Sequence, residues 1–481
     1  MLVSKVFDVN SNLDITKIMY DSRIKIDNSI FFAIKGKIND GHKFIETAIT
    51  NGAKCIVYSD EINNYKDDIL YIKTTDVTKA YVSFCKALYD YPTDKMNCIG
   101  VTGTNGKTTI CWIIRNIIAK FNKCGYIGTM GYYYGEEIEN SSLNLTTPKS
   151  DELFRICKEM LDYGCKTLVM EASSEGLSTN RLDQVNFHTA VFNNLSSDHM
   201  DVHGDMESYF KAKCILFDNQ DINDIAIINI DDEYGKKLIN HSKAIIKTFA
   251  IENDADYKAD NLVLDIDHSE FDLIYKNTKY HIYTNINGRF NIYNLLAIIA
   301  VLNENGYEIE SIINYLKDLE LCPGRLELVK AGQDFNVIVD YAFTTNSFDK
   351  VFNYAESITN KENKIYAVFG GSGNRDHGRR PGTAKIADKR ADDVILTYDD
   401  PFKEDMMDIC LDLKSYFNKI NPEIILDRYE AIKKAISKAK KGDTVLILGK
   451  GSDKFFSDAN GRTPWMSDVI AAKKAILELK K

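Results

Sequence analysis

Cys98-Ile99-Gly100-Val101-Thr102-Gly103-Thr104-Asn105-Gly106-Lys107-Thr108-Thr109 is the stretch on which the fold turns. It opens as an apolar run with strand character, and an apolar-periodic helix pattern follows from Thr109 to Phe121. Between the two lies a loop of Gly, Thr and Asn. That is the layout of a phosphate-binding loop. Glycines let the backbone close around an anion, while successive N–H groups and the helix N-terminus point at it. Lys107 would reach the β and γ phosphates of ATP, and the Thr108 hydroxyl would ligate Mg²⁺. Gly103, Thr104, Asn105, Gly106 and Thr109 complete the expected nucleotide loop. The G-x-x-x-x-G-K-S/T spacing is missed by one place, because Val101 stands where the first Gly belongs.

Composition frames the rest. A chain of 481 residues predicts two to four domains, each able to bury its own core. The 44% hydrophobic and 27% charged content is that of a globular protein. A net charge of −10 without a basic tract argues against a general nucleic-acid binder. The ten cysteines form no C-x-x-C pair, so they read as reduced, buried small hydrophobes. No run approaches the ~20 apolar residues of a spanning helix. The start of the chain carries charge rather than a signal-like apolar core. A cytoplasmic monomer acting on small molecules, without nucleic-acid or membrane partners, is the expectation.

Three blocks separate, at 1–92, 93–321 and 322–481. The first holds a strand-like Ser29-Ile30-Phe31-Phe32-Ala33-Ile34, a helical Lys43 to Asn51 and a buried-strand run, Lys54-Cys55-Ile56-Val57-Tyr58. The second alternates strands and helices after the phosphate loop, and the third repeats that rhythm from Cys322-Pro323-Gly324-Arg325 onward. Such alternation predicts an α/β protein with right-handed crossovers, largely parallel sheets and ligand sites at the carboxyl ends of the strands.

Polar residues gather at those ends. Glu171-Ala172-Ser173-Ser174 closes one strand, and Asn193-Asn194-Leu195 the next, followed by Asp198-His199-Met200-Asp201-Val202-His203-Gly204. A carboxylate and an imidazole beside a phosphate loop suit a Mg²⁺ site. Zinc is disfavoured, since no Cys or further His lies at ligand spacing.

With these residues in place, the chain resembles the Mur ligases, the ATP-dependent ligases that build the peptidoglycan stem peptide. The Gly103 to Thr109 loop carries the likeness first. Asp21-Ser22-Arg23, Asp40-Gly41-His42, Thr146-Thr147-Pro148, Glu171 to Ser174 with Arg181, and Asp198 to Gly204 extend it. So do Phe290-Asn291 with Asn294, Pro323-Gly324-Arg325, Asp340-Tyr341-Ala342 and Arg379-Arg380-Pro381, all in the family's order. The set is most similar to the branch that adds the third residue to UDP-N-acetylmuramoyl-L-alanyl-D-glutamate.

The resemblance implies three domains: an N-terminal one for the UDP substrate, a central P-loop ATPase and a C-terminal Rossmann-like one. Ser22, Gly41 and His42 would lie at the uridine end. Glu171 and His199 would be Mg²⁺ ligands with Thr108, and His199 would be counted with the catalytic residues Lys107 and Lys213. Lys213 matches the lysine that this family carbamylates, turning an ammonium into a carboxylate-like metal ligand. Thr146, Thr147, Ser173, Ser174 and Arg181 would hold the muramoyl dipeptide. Asn291 and Asn294 would face the adenine, while Arg325 and Asp340 would close on the nucleotide. Arg380, Asp399, Asp400 and Asp453 would surround the incoming amino acid.

Diaminopimelate-adding relatives resemble Asp-Asn-Pro-Arg at the specificity motif, where this chain reads Asp399-Asp400-Pro401-Phe402. With the guanidinium gone and acidic residues around, an ammonium would be attracted and a carboxylate would lack its bidentate partner. L-Lysine is therefore the expected substrate, with ornithine or another diamino acid behind it. Phe343 departs from the family's His, Glu175 replaces a frequent His, and Lys149 stands where Glu is common. Phe343 keeps open a second reading, a paralogue joining a different amine to a different acid. A folylpolyglutamate synthase fits Asp21-Ser22-Arg23 and Arg379-Arg380-Pro381 poorly, and intact Lys107, Glu171 and Lys213 speak against a non-catalytic scaffold.

Overall fold

The computed structural model describes residues 3–19, 21–36, 39–135, 145–198, 200–265, 268–374 and 378–479. Three main sheets succeed one another along the chain. The first has four parallel strands in sequence order, Lys17–Met19, Ser29–Phe32, Ala53–Tyr58 and Leu70–Lys73. Ser29–Phe32 is buried at every position, which is why it reads as an unbroken apolar run rather than an alternating one.

The central sheet has ten strands among the described residues. Asn97–Thr102 lies at its middle, between the parallel strands Thr167–Glu171 and Phe187–Phe192. Cys124–Gly128 lies beyond the former, and Ile225–Asn229 then Ile245–Ala250 beyond the latter. After Thr167–Glu171 the chain crosses over Asn97–Thr102 to build the other half of the sheet. The carboxyl end of Asn97–Thr102 is thus a topological switch point, where adjacent loops diverge and leave a crevice. The helix Lys107–Ile118 packs its isoleucines against Arg289–Glu304 on one face of this sheet.

Both edges depart from the alternating expectation: Gly131–Tyr133 pairs antiparallel with Cys124–Gly128 at one, and three strands pair antiparallel among themselves at the other. Tyr257–Leu264, Ser269–Tyr275 and Thr278–Thr284 extend the sheet as an antiparallel meander. Ser269, Phe271 and Leu273 point inward and Glu270 and Asp272 outward, the pattern of a sheet wet on one side.

The third sheet runs Glu327–Leu328, Asn336–Asp340, Thr444–Leu448, Ile365–Phe369, Asp393–Leu396, Glu423–Ile424, parallel after its first pair. Its strands feed two cores, Val337, Val339 and Ile447 on one face and Ile338, Leu446 and Leu448 on the other. All ten cysteines are buried and unbridged. No described helix is long and apolar enough to cross a membrane.

Candidate active site

The crevice at the switch point opens into a cleft of about 1000 Å³ between the second and third sheets. Its floor is the loop after Asn97–Thr102. Gly103 and Gly106 adopt φ of 155° and 89°. A Cβ on Gly106 would lie 2.3 Å from Asn294 Oδ1 and 2.4 Å from Asn193 Nδ2, so both conformation and space demand glycine. The helix makes its first internal bond from Ile110 N to Gly106 O. The N–H groups of Lys107, Thr108 and Thr109 are therefore the free donors of a helix start, facing the cleft.

Lys107 Nζ donates to the carbonyls of Gly103 (2.8 Å) and Thr104 (3.1 Å). Burial lowers its pKa, with Glu171 and Asp198 pulling the other way. Glu171, fully buried at the end of its strand, accepts from Tyr126 Oη (2.8 Å), Thr129 N (2.9 Å) and Thr129 Oγ1 (3.1 Å). Those bonds fix the carboxylate in the lining of the cleft, which Thr108, also buried, shares. Hydroxyl and carboxylate oxygens form a hard donor set that fits Mg²⁺.

Lys213, on the helix Met206–Asp218, is 1% exposed, with Nζ 3.0 Å from the Gly103 carbonyl and 4.5 Å from the Tyr209 ring centre. Burial drives its pKa well below the usual lysine range, the Lys107 ammonium adds to this, and Asp198 opposes it. Burial of this kind favours the uncharged amine over the ammonium.

An asparagine lattice holds the loop from behind, and sequence reading did not anticipate it. Asn193 Nδ2 donates to Asn105 O (3.0 Å) and Asn294 Oδ1 (2.9 Å), and Asn294 Nδ2 to Asn291 Oδ1 (2.8 Å). Asn194 Oδ1 accepts from Asn105 N at 2.9 Å. Two consecutive asparagines closing a buried strand were the available signal. Asn291 and Asn294 both line the cleft.

The third sheet supplies the opposite wall. Arg325 donates to Thr108 Oγ1 at 3.3 Å and stacks 4.7 Å from the Tyr341 ring centre. Asp340 accepts from Leu326 N and Ala342 N, both at 2.7 Å. Asn105 Nδ2 reaches Asn346 Oδ1 at 3.0 Å. Arg379 donates to Asp198 Oδ1 at 2.9 Å, a link joining positions far apart in sequence.

The expected dipeptide residues divide. Thr146, Ser173, Ser174 and Arg181 line the cleft. Thr147 is fully buried, its hydroxyl bonded to Glu171 O (3.0 Å) and Ser173 Oγ (2.9 Å), so it braces the site from below. Arg181 is held by Glu175 at 2.6 Å, which accounts for the acid at that unusual position. Ser22, Gly41 and His42 lie in the first sheet's domain, outside the lining of this cleft. His42 bonds Asp40 through Nδ1 (2.7 Å), and its Nε2 accepts from Ser59 N and Asp60 N. Asp40, His42 and Asp60 are the one metal-like cluster among the described residues, but those two N–H bonds occupy the imidazole. His199 lies outside the described residues.

Around the expected amino-acid site the charge balance differs from the sequence expectation. Lys450, 1% exposed, bonds both Asp400 (2.9 Å) and Asp453 (3.0 Å), and Tyr341 Oη also donates to Asp453. Arg380 is paired with Glu404 (2.7 Å) and Asp412 (3.1 Å). Burial and the neighbouring Asp400 push Asp399 up to about 6. The acidic run is therefore largely neutralised from within, and its pull on an ammonium is weaker than a count of carboxylates implies. Arg380 and Asp399 line a second, small cavity with Phe343, Gly370 and Gly449.

Comparison with known proteins follows these features along the chain. Profiles described as the Mur ligase family catalytic domain, the Mur ligase middle domain and the Mur ligase glutamate ligase domain match residues 14–88, 101–302 and 324–451. The UDP-N-acetylmuramoyl-L-alanyl-D-glutamate–2,6-diaminopimelate ligase of Clostridium tetani is 38% identical over 94% of this chain and 92% of its own. That of Bacillus licheniformis is 36% identical over 97% and 96%. A solved structure of a ligase with that same name superposes with a TM-score of 0.70 at 27% identity, covering 100% of this chain and 99% of its own. The ADP complex of the Thermotoga maritima MurF ligase, at 18% identity and a TM-score of 0.61, shares the fold. The chain belongs to the Mur ligase family.

Proposed function

We propose that this chain is an ATP-dependent acid–amino-acid ligase that joins a diamino acid to UDP-N-acetylmuramoyl-L-alanyl-D-glutamate, with 1–92, 93–321 and 322–481 as its domains. The observation that carries the reading is Lys213, a buried amine of depressed basicity set 3.0 Å from the phosphate loop. An unmodified ammonium there would face Lys107 and any bound cation. A carbamate on Nζ removes that repulsion and adds a metal-binding oxygen.

ATP would lie with its phosphates on the 103–109 loop and its adenine toward Asn291 and Asn294, with Asp340 on the third-domain wall. Thr108, Glu171 and His199, with a carbamate on Lys213, would hold magnesium, which would supply charge neutralisation at the phosphates. The substrate carboxylate attacks the γ-phosphorus, the bond to the bridging oxygen breaks, and ADP leaves. Lys107 swings from its loop carbonyls to the phosphoryl oxygens. The amine then attacks the acyl carbon, loses a proton, and phosphate departs with the C–O bonding pair. Arg325 and Asn346 hold the third domain over the loop and exclude water from the acyl phosphate.

For the amino acid, Phe402 favours L-lysine, since no guanidinium stands there to meet a distal carboxylate. The names of the relatives favour 2,6-diaminopimelate, the second candidate. Phosphate release measured with ATP, Mg²⁺, the muramoyl dipeptide and a panel of amino acids tests the proposal. Stimulation by lysine or diaminopimelate supports it. Turnover only with an unrelated acid, which Phe343 would accommodate as a paralogue's departure, overturns it.

A further inference from the structure

Arg379 lines the small cavity and reaches Asp198 in the wall of the large cleft. Phe343 lines both the large cleft and the small cavity and is 43% exposed. The Arg379 guanidinium lies 5.0 Å from the centre of that ring. Its side chain is 16% exposed and reaches across to Asp198, itself in the cleft wall and 6% exposed. Its Nε–H is buried without a hydrogen-bond partner. A guanidinium has five donors, stays charged at any working pH, and matches the oxygens of a phosphoryl group in shape. Holding one inside a protein with a donor unused is costly unless an anion arrives to take it.

We infer that Arg379 is a catalytic residue that binds the oxygens of the transferring phosphoryl group, with Phe343 as the aromatic platform that sets its plane. The inference rests on the ligase reading and extends it. As the carboxylate oxygen bonds to phosphorus and the bridging P–O bond breaks, charge spreads over the phosphoryl oxygens, and Arg379 meets it from the third domain while Lys107 meets it from the loop. When the amine later attacks the acyl carbon, the same guanidinium faces the departing phosphate. Arg379 gives up no proton in either step. Phe343, a replacement that neither ligates metal nor hydrogen-bonds, then has a positive role: a ring face attracts and orients a guanidinium.

The test uses the full chain and two probes, ADP with Mg²⁺ and ADP–aluminium fluoride with Mg²⁺, the latter mimicking the planar phosphoryl group. In Arg379→Gln, ADP affinity should stay within about threefold, while the fluoride complex weakens at least about 30-fold and kcat falls on the order of 10²- to 10³-fold. Phe343→Leu should cost about three- to tenfold in kcat, and Phe343→Trp should recover it. Melting temperatures check that the variants fold. Arg379 as a mere strut between domains would weaken both probes alike, and that result overturns the inference. So does an Arg379→Gln enzyme turning over within about threefold of the parent. Should the parent bind neither probe, the ligase reading itself falls, and the inference with it.

Discussion

Replacing Gly106 with alanine should dismantle the phosphate loop. The new Cβ would sit 2.3 Å from Asn294 Oδ1 and 2.4 Å from Asn193 Nδ2, on a backbone with φ of 89°. The left-handed backbone alone costs an alanine about 1–2 kcal/mol. Clearing the overlap requires both amides to move by roughly 1 Å, given ordinary carbon contact distances of about 3.5 Å. That breaks the Asn193–Asn294 bond (2.9 Å) and the Asn193–Asn105 bond (3.0 Å). Asn193 and Asn294 are 1% and 3% exposed, so water does not repair the loss cheaply. Each bond then costs about 1–2 kcal/mol, for a total of about 3–6 kcal/mol. If half of a mid-range 4 kcal/mol falls on the nucleotide-bound state, Kd rises about 30-fold. The assay is equilibrium titration with a fluorescent ATP analogue, alongside thermal melting. Gly135→Ala is the control, because its Cβ would meet nothing within 4 Å. A Gly106→Ala protein that binds nucleotide within about threefold of the parent and melts with it would refute the argument.

Other expectations are as concrete. Lys213→Met should abolish turnover, and it should also flatten a pH dependence of stability. The native pKa of Lys213 lies below its unfolded value, so the unfolded chain binds more protons and the unmodified protein gains stability as pH rises toward the ordinary lysine range. Denaturant titrations across that range would show equal slopes in both proteins if this is wrong. Asp399→Asn should stabilise the protein above pH 6 by about 1–3 kcal/mol, and not below pH 4. The sign follows because Asp399 is raised to about 6, so the parent loses stability as pH climbs through that value; a variant no more stable at pH 8 would contradict it. Phe402→Arg should shift preference toward meso-diaminopimelate over lysine by at least about tenfold in kcat/KM, as a bidentate carboxylate partner is restored. Unchanged selectivity would mean that position 402 does not read the amino acid. His42→Phe removes a ring nitrogen that accepts from two backbone N–H groups. It should cost about 2–4 kcal/mol of first-domain stability while leaving nucleotide affinity untouched, and loss of nucleotide binding would count against that separation.

Much of the site was legible because its parts are local. Strand, glycine turn and helix sit within about twenty consecutive residues, and φ at Gly103 and Gly106 is a property of those residues alone. The meander from Tyr257 to Thr284 was missed because its strands lie beyond the alternating stretches, at an edge where one-sided burial gives a weaker apolar signal. Thr147 was read as a ligand, yet its hydroxyl faces Glu171 O and Ser173, since a motif names residue types and not the direction each side chain takes. The acidic run 399–405 reads in sequence as a lure for a cation, but Lys450 and Arg380 neutralise much of it in the fold.

From the chain alone came the phosphate loop, the α/β rhythm and the kinship, all written in short-range pattern: period, glycine position, motif order. The third dimension decided which charges are spoken for and which remain available. Arg379 reaches Asp198 across 181 positions, and Arg325 reaches Thr108 across 217. Pairing of that kind depends on distance in space, where charge interactions act, and a linear pattern carries no record of it.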